Sequence, residues 1–498
     1  METNTTQGDN PELSEILQIR RDKLTKLQSE NNDPFHVTKF NRTAFSSDIL
    51  DNFEKTEGSE FSLAGRVMAK REMGKATFVD ILDDKGRIQL YIKQNDIGEE
   101  NFESIKKGDI GDFIGVTGSV FKTRMGEISI HCTKVELLAK SLRPLPEKYH
   151  GLTNQELKYR QRYVDLIMNP QTRRTFEIRS AFIKHTREFL DQRGYFEAET
   201  PVLNTISGGA SARPFITHHN TLDLEMYMRI ATELHLKRLI VGGIERVYEI
   251  GRVFRNEGIS TKHNPEFTML ELYEAYADYN DMMDLFEELL SSAAMKLLGT
   301  HKLTWLGKDI DLSPGWERLT MADAVKKHTG IDFISIDNVG DAIKAAAGIG
   351  VKMPDGTEET WGGLLCECFE KRVEDKLTGP VFITEHPVEI SPLAKKKVSD
   401  PRVTERFEPF ICSNEMGNAF SELNDPIDQK ERFLRQAKLR ESGDLEASMM
   451  DDDYINALEY GMPPTGGLGV GIDRCVMMLT NSSSIRDVIL FPTMKPIE

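Results

Sequence analysis

The chain has 498 residues, and its 63 basic and 80 acidic side chains give a net charge of −17. That length allows at least two domains with their own cores, and the 39% hydrophobic content excludes a mainly disordered chain. No uncharged apolar run reaches the roughly 18–20 residues of a membrane helix. The five cysteines form no CxxC pairs and the first residues carry no secretory signal, so we expect a cytoplasmic protein without a membrane partner.

The charge is unevenly distributed along the chain. Residues 61–150 carry 15 basic and 13 acidic side chains, whereas residues 151–498 carry 41 and 55. Net charge alone argues against a nucleic-acid partner, because phosphates bind to basic surfaces. The slightly basic segment nevertheless remains compatible with one.

The first 150 residues predict a helix followed by a small barrel. Leucines and isoleucines at helical spacing predict a helix over 11–30. Five short β-rich runs separated by turns follow over 61–138, which favours a Greek-key barrel of the OB type. Two prolines in 141–152 indicate a linker.

From residue 153 the pattern is α+β. Helices are predicted at 154–168, 172–193, 279–298 and 427–440, and strands around 225–230, 246–254, 266–276, 405–412 and 415–423. These elements do not alternate as a repeating βαβ fold does. Residues 335–400 give no clear pattern.

The predicted barrel carries candidate nucleic-acid contacts. Phe78 and Gln89 lie in its strands, with several lysines and arginines nearby. Exposed aromatic and basic residues on a small barrel stack bases and hold phosphates. The alternative is that Phe78 belongs to the core and the charges form a solvated face.

A strand–loop–strand segment is the first candidate phosphate site. Arg255 and Glu257 end one strand, and His263 and Asn264 lie in the loop before Phe267. An arginine fork suits a phosphate, and an aromatic face suits a stacked purine. The alternative is an ordinary hairpin with a surface ion pair.

A second candidate is the alternating-glycine run Gly467–Gly471, which is followed by Arg474. Glycines at alternate strand positions allow a ligand or another chain to approach closely, and the arginine can reach a phosphate. The spacing is GxGxG rather than the GxGxxG of dinucleotide-binding folds. A tight packing bend is the alternative.

Residues 405–423 supply candidate metal and pocket side chains. Glu408 and Glu415 are expected to flank a hairpin turn at Ser413–Asn414, and carboxylates beside phosphates typically hold magnesium. Asn418, Phe420 and Glu422 then share one strand face. An edge strand with a wet face would show the same pattern.

Three carboxylates are candidates for one pocket: Glu233, Glu271 and Glu422, with Tyr273 on the same strand face as Glu271. Buried carboxylates need a positive partner, which a ligand ammonium would provide. The alternative is internal pairing with Arg229, Lys237 or Arg238.

Three segments in this order resemble the class II aminoacyl-tRNA synthetases: residues 179–203, FRNEGISTKHNPEF and GLGVGIDR. The segments SGGASARPF, IATELHLKRL, TMLELYEAYADY and GNAFSELNDP are similar to the lysyl-tRNA synthetases of bacterial type. The resemblance covers about residues 61–498. Class I signatures such as HIGH and KMSKS are absent from the sequence.

The resemblance implies roles for the candidate residues. ATP would be bound by Arg255, Glu257, His263, Asn264, Phe267, Glu408 and Arg474, with Arg255 and Arg474 catalytic. Magnesium would be carried by Glu408 and Glu415. Lysine would be bound by Gly209, Glu233, Glu271, Tyr273, Asn418, Phe420 and Glu422, and anticodon bases by Phe78 and Gln89.

The resemblance also implies an α+β chain with a five-stranded OB-fold barrel followed by an antiparallel sheet flanked by helices. Its expected parts are a helical extension (1–60), an anticodon-binding barrel (61–145), a linker (146–152) and a catalytic domain (153–498). The implied activity joins L-lysine to tRNA(Lys) with ATP and Mg²⁺, in a homodimer. The alternatives are an aspartyl or asparaginyl synthetase, a protein-lysylating relative and a non-enzymatic OB-fold protein.

Overall fold

The computed structural model describes residues 11–146, 152–354 and 357–497, with the main chain only for residues 11 and 12. The chain divides into two compact units, Met1–Gly151 and Leu152–Glu498. Most of the expected linker, and the first ten residues of the expected extension, lie outside the described residues.

The first unit is a closed five-stranded barrel preceded by helices. Its strands follow the order β1-β2-β3-β5-β4, and all pairs are antiparallel except β3 with β5. The barrel interior holds the apolar side chains that alternate along each strand, among them Leu63, Leu90 and Ile130. The predicted OB-type barrel is therefore confirmed. The elements are α1 (Pro11–Ser29), α2 (Ser46–Leu50), α3 (Phe53–Thr56), β1 (Glu60–Met73), β2 (Ala76–Leu82), β3 (Arg87–Lys93), α4 (Gln94–Ile97), α5 (Glu99–Lys107), β4 (Phe113–Lys122) and β5 (Ile128–Ala139).

The second unit begins with helices and continues into a large sheet. Its longest helices have clear end signals: α8 begins at a proline, and α10 has an Asp278 capping box and ends at the left-handed Gly299. The elements are α6 (Gln155–Arg160), α7 (Arg162–Met168), α8 (Pro170–Asp191), β6 (Phe196–Glu197), β7 (Leu203–Asn204), β8 (Ile216–His219), β9 (Leu224–Met228), α9 (Glu233–Val241), β10 (Arg246–Phe254), β11 (Glu266–Ala275) and α10 (Tyr279–Leu298).

The remaining elements complete the sheet and add a second core around α11 and α13. Many side chains of this second core come from residues 335–400, the range without a clear sequence pattern. The elements are β12 (Lys302–Trp305), β13 (Lys308–Asp311), β14 (Glu317–Thr320), α11 (Met321–Thr329), α12 (Val339–Gly348), α13 (Trp361–Arg372), β15 (Val381–Thr384), β16 (Lys396–Lys397), β17 (Asp400–Thr404), β18 (Arg406–Ile411), β19 (Asn414–Glu415), β20 (Gly417–Ser421), α14 (Pro426–Glu441), α15 (Asp452–Glu459), β21 (Thr465–Gly471), α16 (Ile472–Leu479) and α17 (Ile485–Val488).

The central sheet has the order β14-β15-β18-β20-β21-β11-β10-β6, with β19 paired to β18. Its pairs are antiparallel apart from β14 with β15 and β10 with β6. One face packs on α8, α10 and α16, where Leu270 and Leu272 of β11 join Phe182 and Phe286 in the core. The alternate residues of β11 therefore point to the opposite face, which is free to carry polar side chains.

An ion pair joins the first and last of the three family-like segments. Arg179 of α8 donates to Asp473 Oδ1 at 2.6 Å, and Asp473 Oδ2 accepts from the Thr268 amide at the same distance. Within the described residues, no helix is long and apolar enough to cross a membrane.

Candidate active site

One cavity of about 770 Å³ in the second unit brings together all the site residues predicted there. It is lined, among others, by Gly209, Glu233, Arg255, Glu257, His263, Asn264, Phe267, Glu271, Tyr273, Glu408, Glu415, Asn418, Phe420, Glu422 and Arg474. These side chains come from segments separated by up to 265 residues, so only the fold makes them neighbours.

Strand register arranges the pocket in rows across β20, β21 and β11. Phe420 and Tyr273 both lie opposite Gly467, and Asn418 and Glu271 both lie opposite Gly469. In each row a glycine of the middle strand separates two larger side chains. The alternating glycines thus form the floor of a trough.

Gly467 is a glycine because the flanking side chains occupy the space of a Cβ. A Cβ built at this position would overlap Glu422 Oε1 and lie 2.6 Å from a ring carbon of Tyr273. Gly469 is less crowded, since its nearest neighbour would be the Met269 methyl group at 3.3 Å. The close approach predicted from the alternating glycines is therefore greatest at Gly467.

The three pocket carboxylates are all buried, and Glu422 lies deepest, with 0% exposure. Glu271 Oε1 accepts a hydrogen bond from the Thr232 amide at 3.1 Å. Among the described residues, Glu271 Oε2 and both oxygens of Glu422 have no hydrogen-bond partner, and of the two Glu422 oxygens only Oε2 forms an ion pair, with Lys237. Burial, and then the nearby Glu233 charge, raise the pKa of Glu271 to about 7. These unpartnered oxygens suit a cationic ligand.

Lys237 of α9 forms ion pairs with Glu233 Oε1 and Glu422 Oε2. The other basic residues considered as internal partners are engaged elsewhere: Arg229 pairs with Glu249, and Arg238 pairs with Asp451. Internal pairing, the alternative to a ligand site, thus exists here, but it leaves Glu271 without a basic ion-pair partner among the described residues.

Arg255 is the first residue after β10, and its amide donates to the Pro265 carbonyl at 2.8 Å. Its guanidinium lies 5.1 Å from the centre of the Phe267 ring, and its Nε has no hydrogen-bond partner. Burial lowers the pKa of Arg255, while Glu257, Glu415 and Glu271 oppose that shift. An arginine with unused donors beside an aromatic ring suits a nucleotide phosphate.

Arg474, near the start of α16, donates to the Glu415 carbonyl at 2.6 Å and to Glu415 Oε2 at 3.2 Å. Burial and the Arg474 charge lower the pKa of His263, which favours its neutral form. Asn264 donates to the Glu266 carbonyl at 2.7 Å, and its Oδ1 has no partner.

Glu408 and Glu415 lie on paired strands, and each gives one oxygen to an arginine. Glu408 accepts from Arg406 at 2.6 Å, and Arg406 also donates to Asn418 at 2.9 Å. The turn between the two strands is Cys412–Ser413, one residue earlier than predicted. Both turn residues have positive φ, as a two-residue hairpin turn of type I′ requires, without the glycine that would have revealed the turn.

Several cavity residues carry no local signal in the sequence. Cys366, Glu370, Glu374 and His386 come from the stretch without a clear pattern. Burial raises the pKa of Glu370 and of Glu374, and it lowers that of His386 well below its usual value. No local spacing marks these residues, because separate elements bring them to the cavity.

On the barrel, Phe78 and Gln89 lie on the outward face in adjacent rows. Phe78 stacks on Tyr91 with ring centres 4.8 Å apart, and Tyr91 lies opposite His131 on the next strand. Gln89 accepts a hydrogen bond from Ser129 Oγ at 3.0 Å. Phe78 is therefore not part of the barrel core, and sequence reasoning missed Tyr91 and His131 as its neighbours.

Two family models match the chain. Residues 154–495 match the model described as tRNA synthetases class II (D, K and N). Residues 61–138 match the model described as OB-fold nucleic acid binding domain. The first match covers more than half of the chain.

Curated relatives are similar over nearly the full length. A protein of Pelotomaculum thermopropionicum is 57% identical over 99% of this chain and 97% of its own, and one of Clostridium acetobutylicum is 58% identical over 97% and 94%. A protein of Carboxydothermus hydrogenoformans is 56% identical over 98% and 99%. All three are named lysine–tRNA ligase. The chain belongs to the class II tRNA synthetases, with an OB-fold nucleic-acid-binding domain ahead of the synthetase domain.

Proposed function

We propose that this protein is a lysine–tRNA ligase. It converts ATP and L-lysine to lysyl-adenylate and pyrophosphate, and then transfers the lysyl group to the 3′ end of tRNA(Lys). The observation that carries the proposal is a single cavity lined by three buried carboxylates and by Arg255 and Arg474. The names of the relatives point to the same activity.

The three buried carboxylates of the cavity select lysine. Lysine brings two ammonium groups, which meet Glu233, Glu271 and Glu422, and its methylene chain packs between Tyr273 and Phe420. Gly209 and Asn418 complete this part of the wall. The deepest carboxylate, Glu422, receives the ε-ammonium, because the substrate carboxylate must lie beside the ATP phosphate.

The arginines serve the ATP side. The lysine carboxylate attacks the α-phosphorus, and pyrophosphate leaves. A carboxylate is already a nucleophile, so the step needs no general base and depends on positioning and charge stabilisation. Arg255 holds the α-phosphate, Arg474 the terminal phosphates, and Phe267 stacks on the adenine. Glu257, His263 and Asn264 contact the nucleotide.

Magnesium fits beside these phosphate-binding groups. Within the described residues no cluster of three or more acidic, histidine or cysteine side chains can hold a metal ion alone. Two carboxylates plus phosphate oxygens and water are, however, a usual Mg²⁺ environment. Glu408 and Glu415 would hold the ion, which when bound neutralises charge on the phosphates.

The barrel binds the anticodon. Its outward row of Phe78, Tyr91 and His131 offers stacking faces, and Gln89 offers an amide to a base edge. An aspartyl or asparaginyl synthetase is disfavoured, because buried carboxylates would repel aspartate. A non-enzymatic OB-fold protein would leave the cavity of the second unit without a use.

We further propose a cytoplasmic homodimer. Residues 196–224 expose several large apolar side chains, among them Phe196, Ile216 and Leu222, which are 55%, 60% and 66% exposed. A second copy would cover such a patch. Light scattering of Phe196→Asp and of the unmodified chain tests this, since a dimer in both would exclude Phe196 from the interface.

Pyrophosphate exchange with each of the twenty amino acids in turn tests the proposed activity. Exchange with lysine alone is expected, and it should need magnesium. Exchange with aspartate or asparagine would overturn the proposal, as would the absence of exchange with lysine. Arg255→Ala, which should lose exchange, is the matched control for contaminating synthetases.

A further inference from the structure

Lys237 is a fully buried lysine behind the wall of the amino-acid pocket. Its side chain has 0% exposure, and it is not among the residues that line the cavity. It holds one oxygen of Glu233 and one oxygen of Glu422, both of which do line the cavity. Lys237 therefore touches the pocket carboxylates without being open to a substrate.

Aromatic rings enclose the Lys237 ammonium. Its nitrogen lies 5.3 Å from the centre of the Phe420 ring and 5.8 Å from that of Tyr273. Both rings belong to the pocket wall, so this ammonium and the proposed substrate share their walls as well as their carboxylates. Cation–π contacts of this kind stabilise a desolvated positive charge.

We propose that Lys237 is a positioning residue for amino-acid specificity: it fixes Glu422 Oε2 and thereby presents Glu422 Oε1 to the ε-ammonium of lysine. This inference rests on the proposed function. Glu422 Oε1 is buried and has no hydrogen-bond partner among the described residues. The carboxylate lies between Lys237, which contacts Oε2, and the backbone of Gly467, which Oε1 approaches closely, and these two neighbours set its direction.

Charge balance gives the physical reason. When all three carboxylates are ionised, as ammonium binding requires, they and the Lys237 ammonium give the pocket two negative charges, which the two ammonium groups of lysine match. Burial raises the pKa of Glu422, and the Lys237 charge opposes that rise. Without Lys237, Glu422 would hold a proton more firmly and would tolerate an uncharged side chain.

The test compares lysine with 2-aminoheptanoic acid, in which a methyl group replaces the ε-ammonium. The measured quantity is the ratio of the two kcat/KM values in pyrophosphate exchange. This ratio does not depend on the fraction of folded enzyme, so loss of folded protein alone would leave it unchanged. In Lys237→Met we expect the ratio to fall at least tenfold, and to recover partly at higher pH as Glu422 ionises.

Lys140→Met is the matched control. Lys140 is also buried between two carboxylates, but it belongs to the first unit and does not line the cavity. The Lys140→Met variant should show the same ratio of kcat/KM values as the unmodified protein. An unchanged ratio in Lys237→Met, or an equal fall in Lys140→Met, would overturn the inference.

Two further measurements guard against misfolding of Lys237→Met. Lys237→Gln keeps hydrogen-bond donors but loses the charge, and an unchanged ratio would also overturn the inference. A crystal structure of the unmodified protein with lysine should show Lys237 still bonded to Glu422, and its displacement would contradict the proposal. If the unmodified protein does not activate lysine, the proposed function fails instead.

Discussion

Among the described residues, two buried lysines each bridge two carboxylates, one in each unit. In the barrel unit Lys140 lies between Asp109 and Asp112; we call these three residues the barrel cluster. In the second unit Lys237 lies between Glu233 and Glu422, which form the pocket cluster. The same chemistry thus occurs twice, and the surroundings of the carboxylates distinguish the two cases.

In the barrel cluster every carboxylate oxygen has a partner. Asp109 accepts from Lys23 and Lys140, both at 2.6 Å. Asp112 accepts from Lys140 and from the Ser141 amide at 2.8 Å, and its other oxygen accepts from the Asp109 amide at 2.8 Å. Each carboxylate oxygen of this cluster is already hydrogen-bonded, so none is left unpaired for a ligand.

In the pocket cluster Glu422 lines a cavity, and its Oε1 has no hydrogen-bond partner among the described residues. Leaving a buried polar atom unpaired costs free energy, so such atoms persist where a ligand completes them. A buried ion cluster therefore marks a binding site only when part of its hydrogen-bonding capacity is unused. Burial and charge alone do not separate the two.

The largest expected effect is on the barrel cluster. Lys140→Met would leave the buried Asp112 without an ammonium and Asp109 with Lys23 alone, and breaking a buried ion pair typically costs about 3–5 kcal/mol. Hydrogen exchange of the β4 and β5 amides in the full chain should become at least about a hundredfold faster. Lys344→Met, at a lysine whose side chain is 80% exposed, is the control and should change little. Unchanged protection in Lys140→Met would mean that the cluster does not stabilise the barrel.

Glu422→Gln should weaken lysine binding far more than ATP binding. Loss of one partner of a buried charge pair costs roughly 3–4 kcal/mol, so kcat/KM for lysine should fall about 10²–10³-fold. The KM for ATP should stay within about twofold, because Arg255 and Phe267 are untouched. Asp112→Asn in the barrel cluster is the matched control for pyrophosphate exchange. Equal losses for lysine and ATP would argue against a pocket role for Glu422.

The barrel should contribute to function through its surface rather than through its buried cluster. Phe78→Ala removes a stacking face, and base stacking is worth about 1–3 kcal/mol. The KM for tRNA in aminoacylation should rise about tenfold, while pyrophosphate exchange without tRNA stays normal. Lys93→Ala is the variant for comparison, because the Lys93 ammonium lies 5.1 Å from the centre of the Tyr91 ring on the same outward side. A loss of exchange in Phe78→Ala would contradict this separation of roles.

Sequence reasoning found residues with a local signature and missed those without one. Strand alternation predicted that Glu271 and Tyr273 share a face, and alternating glycines predicted a close approach, because both depend on near neighbours. Lys237 entered only as one of three basic residues near Glu233. Its contact with Glu422, 185 residues away, depends on how α9 packs against β10 and β11 of the central sheet, which no local pattern contains. His386 and Glu370 were missed for the same reason.

The pocket carboxylate Glu271 should make both stability and activity depend on pH, in opposite directions. Raising the pH should lower its contribution to stability and raise the activity. Its pKa rises from 4.5 to about 7, so the folded state binds this proton more tightly than the unfolded state. Its stabilising contribution is therefore complete below about pH 4.5 and is lost as pH rises through about 7. Binding of an ammonium needs the ionised form, so kcat/KM for lysine should fall about tenfold per pH unit below 7. Glu271→Gln should abolish this dependence and raise the free energy of unfolding at pH 8. If kcat/KM for lysine in the unmodified protein did not change with pH below 7, Glu271 would already be ionised there. It would then not belong with the buried carboxylates whose unpaired oxygens await a ligand.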